Sequence, residues 1–304
     1  MSSSYSIAVV IVNWNAGHYL RKCLQSLKTQ TLKPTRGLIV DNASIDDSMT
    51  GLEEEFENYE IIRLESNKGF AFANNLAVKK VDACNWIAFL NPDAFAHPEW
   101  LEKLLDAAEN FPSKLVEIQK YSAVIFSDIG SNTILLHPKV WIEGETFVNR
   151  LKLIKEYVQS GGSFLMVGGY LSFQGINGAA RYKSTPIEEI LPVNILPYDD
   201  RIEVPEGFSV EIHKEDHEIL NGLSGIWPPL LGFNEVVPTE ESQTIISTPE
   251  SAGNHPLLVI GKYGSGKTMA WTSDIGPHWV SKEFLSWQGY KDLWNQIVKW
   301  LVNN

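Results

Sequence analysis

Two cysteines in 304 residues, Cys23 and Cys84, are too few for a disulfide framework or a cysteine-built metal cluster. They fit a reducing, cytoplasmic setting. Basic charge is also scarce, with 25 Lys and Arg against 37 Asp and Glu for a net charge of −12. The deficit is shared, since residues 1–113 carry 10 basic and 15 acidic side chains and the remainder 15 and 22. Neither part therefore offers the basic field that nucleic acid or an anionic membrane surface requires. Long hydrophobic runs are missing as well. The first, Ile7 to Val12, has no charged segment before it and is too short for a signal peptide or a membrane span, so it reads as a buried strand. There is no low-complexity segment, no repeat of 20 to 50 residues, no G-x-S-x-G elbow and no H-E-x-x-H helix.

What the chain does contain is alternating strand and helix patterning. "IAVVIV" is a β-branched run, and "HYLRKCLQSLKTQ" then places Tyr19, Leu20, Cys23, Leu24 and Leu27 at helical spacing. "GLIVDNAS", "YEIIRLES" and "WIAFLNPDA" read as further strands, with a helix over "GFAFANNLAVKKV". The βαβα order predicts an α/β fold with a doubly wound, mainly parallel sheet. Ligands of such sheets bind beyond the carboxyl ends of the strands. Asn13 and Asn15, Asp41 and Asn42, and Asn91 and Asp93 occupy those ends and are expected to converge on one crevice.

The alternation restarts after Pro112, which sets a boundary between residues 1–112 and 113–304. "YSAVIFSDIGSN" is a strand with a polar end, "FVNRLKLIKEYVQSGG" a helix closed by Gly161 and Gly162, and "SFLMVGGYLSFQG" a strand running into a turn. Shorter strands rich in aromatics and proline follow. The last helix, "GYKDLWNQIVKWLVNN", sets Tyr290, Leu293, Trp294, Ile297 and Leu301 on one face. "SDIG" occurs twice, putting Asp128 and Asp274 in similar strand-end settings where aspartate most often ties a turn. His213 and His217 have i, i+4 spacing, but the "NGL" that follows reads as a turn and argues against zinc. "LPYDDR", with Asp199, Asp200 and Arg201, reads as a solvated salt-linked loop.

Four segments of the first third, "VVIVNWNAGHYLRKCLQSLKTQT", "LIVDNASIDDS", "NKGFAFANN" and "FLNPDA", resemble the nucleotide-binding half of family 2 glycosyltransferases of the rhamnosyltransferase-like branch. The resemblance implies a GT-A, Rossmann-like sheet that binds a nucleoside diphosphate sugar of UDP or dTDP type. It implies a strand-end Asn13, an Asp41 that bonds the base, an Asn67 to Phe70 loop with Asn67 and Gly69 against the nucleotide, and an Asp93 that meets Mg²⁺ or Mn²⁺ on the diphosphate. The acceptor half of that family, with its proton-accepting carboxylate, has no counterpart after Trp100, and transfer lacks its base.

Residues from about 115 onward resemble the glutamine amidotransferase-like proteins related to class I amidotransferases, through "YSAVIFSDIGSN", "YVQSGGSFLMVGGYLSFQGINGAARYKSTPIEEILPV", "WPPLLGFN" and "GKYGSGKTMAWTSDIGPHW". The resemblance implies a flavodoxin-like sheet whose first strands are replaced by the glycosyltransferase-like part, in one composite sheet or two. Tyr170 in "GGYLSFQ" stands where the family's nucleophilic cysteine belongs, so thiol-dependent glutamine hydrolysis is not expected. Asp128, Tyr170, Asp274 and His278 are the catalytic candidates of this part. The chain then reads as a nucleotide-sugar-binding module joined to an amidotransferase-like domain. The alternative is a non-catalytic protein, natural or engineered, that binds a small metabolite or a partner.

One motif points elsewhere. Gly261, Gly266, Lys267 and Thr268 satisfy the phosphate-loop pattern G-x-x-x-x-G-K-[ST]. A phosphate loop needs a helix after it, whereas "MAWTSDIG" reads as a strand. A β-hairpin is expected, with Gly264 and Gly266 at positive φ, Lys267 solvated and no ATP bound.

Overall fold

The opening apolar run becomes strand β1 (Ile7–Asn13), buried at every position, in the computed structural model of the chain. The structure describes residues 6–81, 84, 86–137, 140, 144–223 and 225–303, so the first five residues of the N-terminal stretch lie outside the described residues. Contacts divide the chain into an N-terminal unit, Met1–Glu109, and a C-terminal unit, Asn110–Asn304.

In the N-terminal unit, β1, β2 (Arg36–Asp41), β3 (Tyr59–Arg63) and β4 (Trp86–Phe89) make a parallel sheet in the order β3-β2-β1-β4. Side chains alternate across a strand, and β1 is apolar throughout because helices cover both of its faces. Ile7, Val9 and Ile11 pack with Leu20, Leu24 and Leu27 of α1 (His18–Lys28), Leu52 of the short α2 (Leu52–Glu55), and a later helix. Ala8, Val10 and Val12 meet Ala73 and Ala77 of α3 (Phe70–Lys80). That later helix is α4 (Trp100–Asn110), which contributes Leu101 and Leu105. Cys23 is fully buried on α1, and burial, with the nearby Asp93 charge adding to it, pushes its thiol up to about 12. The thiolate is the reactive form. An aromatic disulfide reagent at pH 8 is expected to leave Cys23 unmodified in the folded protein and to react only at the partly buried Cys84; rapid loss of both thiols without denaturant would contradict this.

Among the described residues ten strands build the C-terminal unit. Its main sheet runs β5 (Ala123–Ser127), β6 (Ser163–Val167), then β14, β13, β12 and β9, with β5, β6 and β14 parallel and the rest antiparallel. β7 (Val193–Ile195) and β8 (Arg201–Phe208) lie outside it and pair with β11 and β10. The remaining strands are β9 (Glu211–Ile212), β10 (Leu230–Asn234), β11 (Val236–Pro238), β12 (Gln243–Ser247), β13 (Pro256–Tyr263) and β14 (Gly266–Trp271). Short helices α5 (Leu115–Ile118) and α6 (Ser131–Leu135) flank β5, followed by α7 (Arg150–Gln159), α8 (Lys282–Ser286) and α9 (Gln288–Val302). β6 again separates two cores. Phe164 and Met166 face Ile154, Tyr157 and Val158 of α7, while Leu165 and Val167 join Leu293, Ile297 and Leu301 of α9. Strand pairing thus stays within each unit, in two main sheets: among the described residues β4 pairs with β1 and β5 with β6. The α/β reading of both parts holds, with a parallel sheet in the N-terminal unit and a mixed one in the C-terminal unit, and among the described residues no composite sheet forms.

The phosphate-loop pattern lies on the β13–β14 hairpin, as the strand-like "MAWTSDIG" requires. Gly264 takes φ +58° at the tip, but Gly266 is not at positive φ. Its glycine requirement is one of close approach, because a Cβ there would come within 2.2 Å of the carbonyls of Gly162 and Val158. Nor is Lys267 solvated. Its Nζ donates to the Trp300 carbonyl at 2.9 Å and to the Asn303 carbonyl, and it lies 4.9 Å from the Trp300 ring centroid. An ammonium there answers unpaired carbonyls and the negative end of the helix dipole. Lys267→Met is expected to cost about 1 kcal/mol and to lower Tm by about 2–4 °C. A calorimetric titration with ATP and Mg²⁺ is expected to give no heat for either protein.

Candidate functional sites

Each unit gathers polar side chains at the carboxyl ends of its parallel strands. In the N-terminal unit the register sets Asn13 opposite Asp41. Asn13 is fully buried and its Nδ2 donates to Asp41 Oδ1 at 3.2 Å and to the hydroxyls of Ser44 and Ser48, both at 2.9 Å. Its Oδ1 is buried with no partner among the described residues. Asp41 Oδ1 also accepts the Ser44 amide at 3.3 Å. Next to this pair, Asn42 Nδ2 donates to Asn67 Oδ1 at 2.8 Å, and Asn42 Oδ1 accepts the Lys68 amide at 2.8 Å. Asn67 Oδ1 in turn accepts the Gly69 amide at 2.8 Å. Gly69 stands before α3 at φ +86°, which a side chain would disfavour. The turn is therefore locked by amide side chains with α3 starting directly behind it, a setting suited to anions.

Asp93 is exposed beyond β4, and among the described residues no hydrogen bond or ion pair joins it to Asn13 or Asp41. Asn91 lies two residues before it, its carbonyl 3.5 Å from Cys23 Sγ. Asn15, at φ +52°, turns its Oδ1 to the Ile45 amide at 2.8 Å and its own amide to Ser44 Oγ at 3.0 Å, so it ties the loop after β1 to the loop after β2. No group of three or more His, Cys, Asp or Glu side chains that would hold a metal by itself occurs among the described residues.

In the C-terminal unit all four candidates come together, because β5, β6 and β14 are adjacent and parallel. Asp128 follows β5 at φ +51°, and its Oδ1 accepts the Leu171 amide at 2.6 Å. Asp274 follows β14, almost fully buried. Its Oδ1 accepts the amides of Ile275 and Gly276 at 2.6 and 3.0 Å, and its Oδ2 holds His278 Nδ1 at 3.0 Å. Both aspartates tie turns, as strand-end aspartates do. Asp274 also fixes an imidazole. That hydrogen bond raises the His278 pKa above its ordinary value, with the charges of Asp128 and Glu203 adding to it. The His278 side chain remains 52% exposed. Its ring stacks on Tyr170, centroids 5.3 Å apart and planes at 23°, and Trp279 lies 5.7 Å from the same tyrosine.

Tyr170 occupies the turn after β6, where Gly168 and Gly169 are forced by crowding. Asn234, fully buried on β10, holds that turn by accepting the Gly169 amide at 2.9 Å and donating to the Gly169 carbonyl at 3.2 Å. Burial, with the Glu203 charge in support, raises the Tyr170 pKa. The sequence reading missed Glu203, which accepts Trp279 Nε1 at 2.9 Å, and Asn234, since both lie on antiparallel strands and their partners are distant in sequence. It also misplaced part of "LPYDDR". Asp199 and Arg201 do pair, at 2.9 Å, and Arg201 lies 4.8 Å from the Tyr170 ring centroid. Asp200, however, is fully buried, where it accepts the amides of Gln174 and Gly175 and Asn234 Nδ2. His213 and His217 serve locally: the first bonds Ser247 Oγ at 2.8 Å, and the second caps a short turn through the Ile219 amide.

Comparison with known proteins gives two overlapping family matches. A model described as "Putative glutamine amidotransferase" (GATase1-like) covers residues 99–303, and the glycosyl transferase family 2 model covers residues 8–167. Similar proteins include the Escherichia coli (strain K12) glycosyltransferase YibD, itself uncharacterized, at 32% identity over 110 residues, 36% of this chain and 32% of YibD. The N-acetylglucosaminyl-diphospho-decaprenol L-rhamnosyltransferase of Mycobacterium tuberculosis is 27% identical over 116 residues, 35% of this chain and 38% of the transferase. The chain thus spans about a third of these curated relatives. Among solved structures, Cytoplasmic Protein STM3548 from Salmonella typhimurium superposes with a TM-score of 0.61 at 37% identity, over 75% of this chain and 84% of its own. No helix among the described residues is long and apolar enough to cross a membrane.

Proposed function

Because the chain belongs to glycosyl transferase family 2 through residues 8–167 and to the glutamine amidotransferase-like family through residues 99–303, we propose that its N-terminal unit binds a nucleoside diphosphate sugar of UDP or dTDP type. The proposed activity is binding, with no acceptor-side base assigned. The observation that carries it is the buried Asn13–Asp41 pair, in which Asn13 Oδ1 has no partner among the described residues at the carboxyl end of β1. A buried unpaired oxygen costs stability, and a donor on a bound base would relieve it. Asp41 supplies a second acceptor. The Asn67 to Gly69 turn, locked by Asn42, lies over the amino end of α3, where backbone amides favour a diphosphate.

A divalent ion fits this site on limited terms. Asp93 offers one carboxylate, and Mg²⁺ binds through one or two carboxylates when substrate phosphates and water complete its shell. Mn²⁺ would serve the same role. When bound, the ion would neutralise the diphosphate, with Asp93 as its protein ligand. The C-terminal unit is not proposed to use a thiol route: Tyr170 replaces the cysteine, and both thiols lie in the N-terminal unit. Two free cysteines suit work in the cytoplasm.

Calorimetric titration of the whole chain with UDP and dTDP sugars plus Mn²⁺ tests the reading. Saturable binding is expected, weakened at least tenfold, or about 1.4 kcal/mol, by Asp41→Ala. Asp93→Ala is expected to remove the Mn²⁺ dependence. Absence of both heat and thermal shift with every donor would overturn it.

A further inference from the structure

We propose that the C-terminal unit carries a second, thiol-independent site in which His278 is a general base that activates water against a neutral ester or amide carbonyl. This goes beyond nucleotide-sugar binding and uses none of its residues. Three observations support it. First, Asp274 is pinned by two backbone amides and holds His278 Nδ1 at 3.0 Å. A carboxylate on one ring nitrogen fixes the tautomer and leaves the other nitrogen free to accept a proton. Second, the imidazole is half-exposed and braced by the Tyr170 ring, so it is oriented yet reachable by a ligand. Third, the Tyr170 N–H on the turn after β6 has no acceptor among the described residues, although the amides on either side do: Gly169 bonds Asn234 and Leu171 bonds Asp128. A free amide beside a base is what a developing oxyanion requires.

The step balances without a protein nucleophile. Water oxygen bonds to the carbonyl carbon while His278 Nε2 takes a water proton, and the Tyr170 amide donates to the carbonyl oxygen as it gains charge. The bond from carbon to the leaving oxygen or nitrogen then breaks, and the imidazolium returns the proton to that atom. The products are an acid and an alcohol or amine. The charges around the imidazole select the substrate. Asp274 on its own segment, Asp128 after β5 and Glu203 on β8 are acidic; Arg201, on β8, is shared between Asp199 at 2.9 Å and Glu203 at 3.6 Å; and Tyr170 and Tyr290 complete the titratable set. An excess of carboxylates disfavours an anionic substrate.

The test uses the full chain with p-nitrophenyl acetate and its anionic hemisuccinate analogue. Hydrolysis of the neutral ester is expected to exceed that of the anionic one and to fall at least about 100-fold in His278→Ala and His278→Gln. His213→Ala is the control for surface imidazole and is expected to retain the wild-type rate. The rate is expected to rise with pH along a limb above 6.5, as the imidazole loses its proton. Asp274→Asn, which alters a positioning residue, is expected to move that limb down in pH. Thermal melts confirm that each variant is folded. A rate unaffected by His278 substitution in folded protein would overturn the proposal. So would a p-nitrophenol burst equal to the protein concentration, which signals an acyl-imidazole, or a pH limb that Asp274→Asn leaves in place.

Discussion

Gly168→Ala is expected to destabilise the C-terminal unit more than any other single methyl added in the strand-end turns. A Cβ on Gly168 would stand 2.0 Å from the Thr272 carbonyl oxygen, 2.5 Å from its carbon and 2.7 Å from the Ser273 oxygen. All three are backbone atoms at the end of the neighbouring strand, so no side chain can turn away. Relief requires β6 and β14 to separate where Gly168 N–H donates to the Trp271 carbonyl at 2.7 Å. Overpacking of this kind, together with a broken ladder bond, costs roughly 4 kcal/mol. For a unit of this size that lowers Tm by about 8–16 °C. Gly130→Ala is the matched control, since its added Cβ meets nothing nearer than 3.7 Å and its melt is expected to stay close to wild type. A Gly168→Ala protein that melts with the control would show that the turn accommodates a side chain.

Asp200→Ala is expected to be nearly as damaging, for an electrostatic reason. Its carboxylate lies at 0% exposure and receives Gln174 N–H at 2.8 Å, Gly175 N–H at 2.9 Å and Asn234 Nδ2 at 2.8 Å. Alanine leaves three buried donors unanswered, a loss of about 3–5 kcal/mol. It also frees Asn234, the clamp on the Gly169 turn, so the His278–Tyr170 stack should loosen with it. Asp199 and Asp200 titrate with opposite signs. Burial outweighs the three donors and raises the Asp200 pKa, so its contribution is full below the ordinary aspartate value and declines as pH rises through the raised one. Hydrogen bonding to Arg201 holds Asp199 at about 2, so its contribution is present above 3.8 and is lost as pH falls toward 2. Chemical denaturation across the acid range is expected to show that Asp199→Asn reduces the loss of stability below pH 4. A slope unchanged in Asp199→Asn would contradict the assignment.

These contrasts show which features the sequence could reveal. β1, β2 and β6 were legible because a strand buried on both faces has to be written as an apolar run, and the polar residue that ends it marks the site. Asn13, Asp41, Asp128 and Asp274 were read from that punctuation. Adjacent aspartates were harder. Asp199 and Asp200 are alike in the string, yet one meets Arg201 beside it and the other meets amides some 25 residues earlier in the chain. Glu203 and Asn234 were invisible for the same reason, since their partners Trp279 and Gly169 are distant in sequence. The four catalytic candidates were found individually, but their assembly depends on the order β5-β6-β14, which sets a strand from late in the chain beside β6 and one strand away from β5. Local pattern specifies strands; it does not specify their neighbours.

Lys267 gives this limit a chemical form. In a phosphate loop, a lysine and a ring of amide hydrogens together surround an anion. Here the same ammonium faces the oxygen-lined end of a 15-residue helix, Gln288–Val302. An incoming triphosphate would compete with those carbonyls for one cation while being repelled by them. The fold has therefore already filled the position a nucleotide would need, using its own main chain as the resident anion.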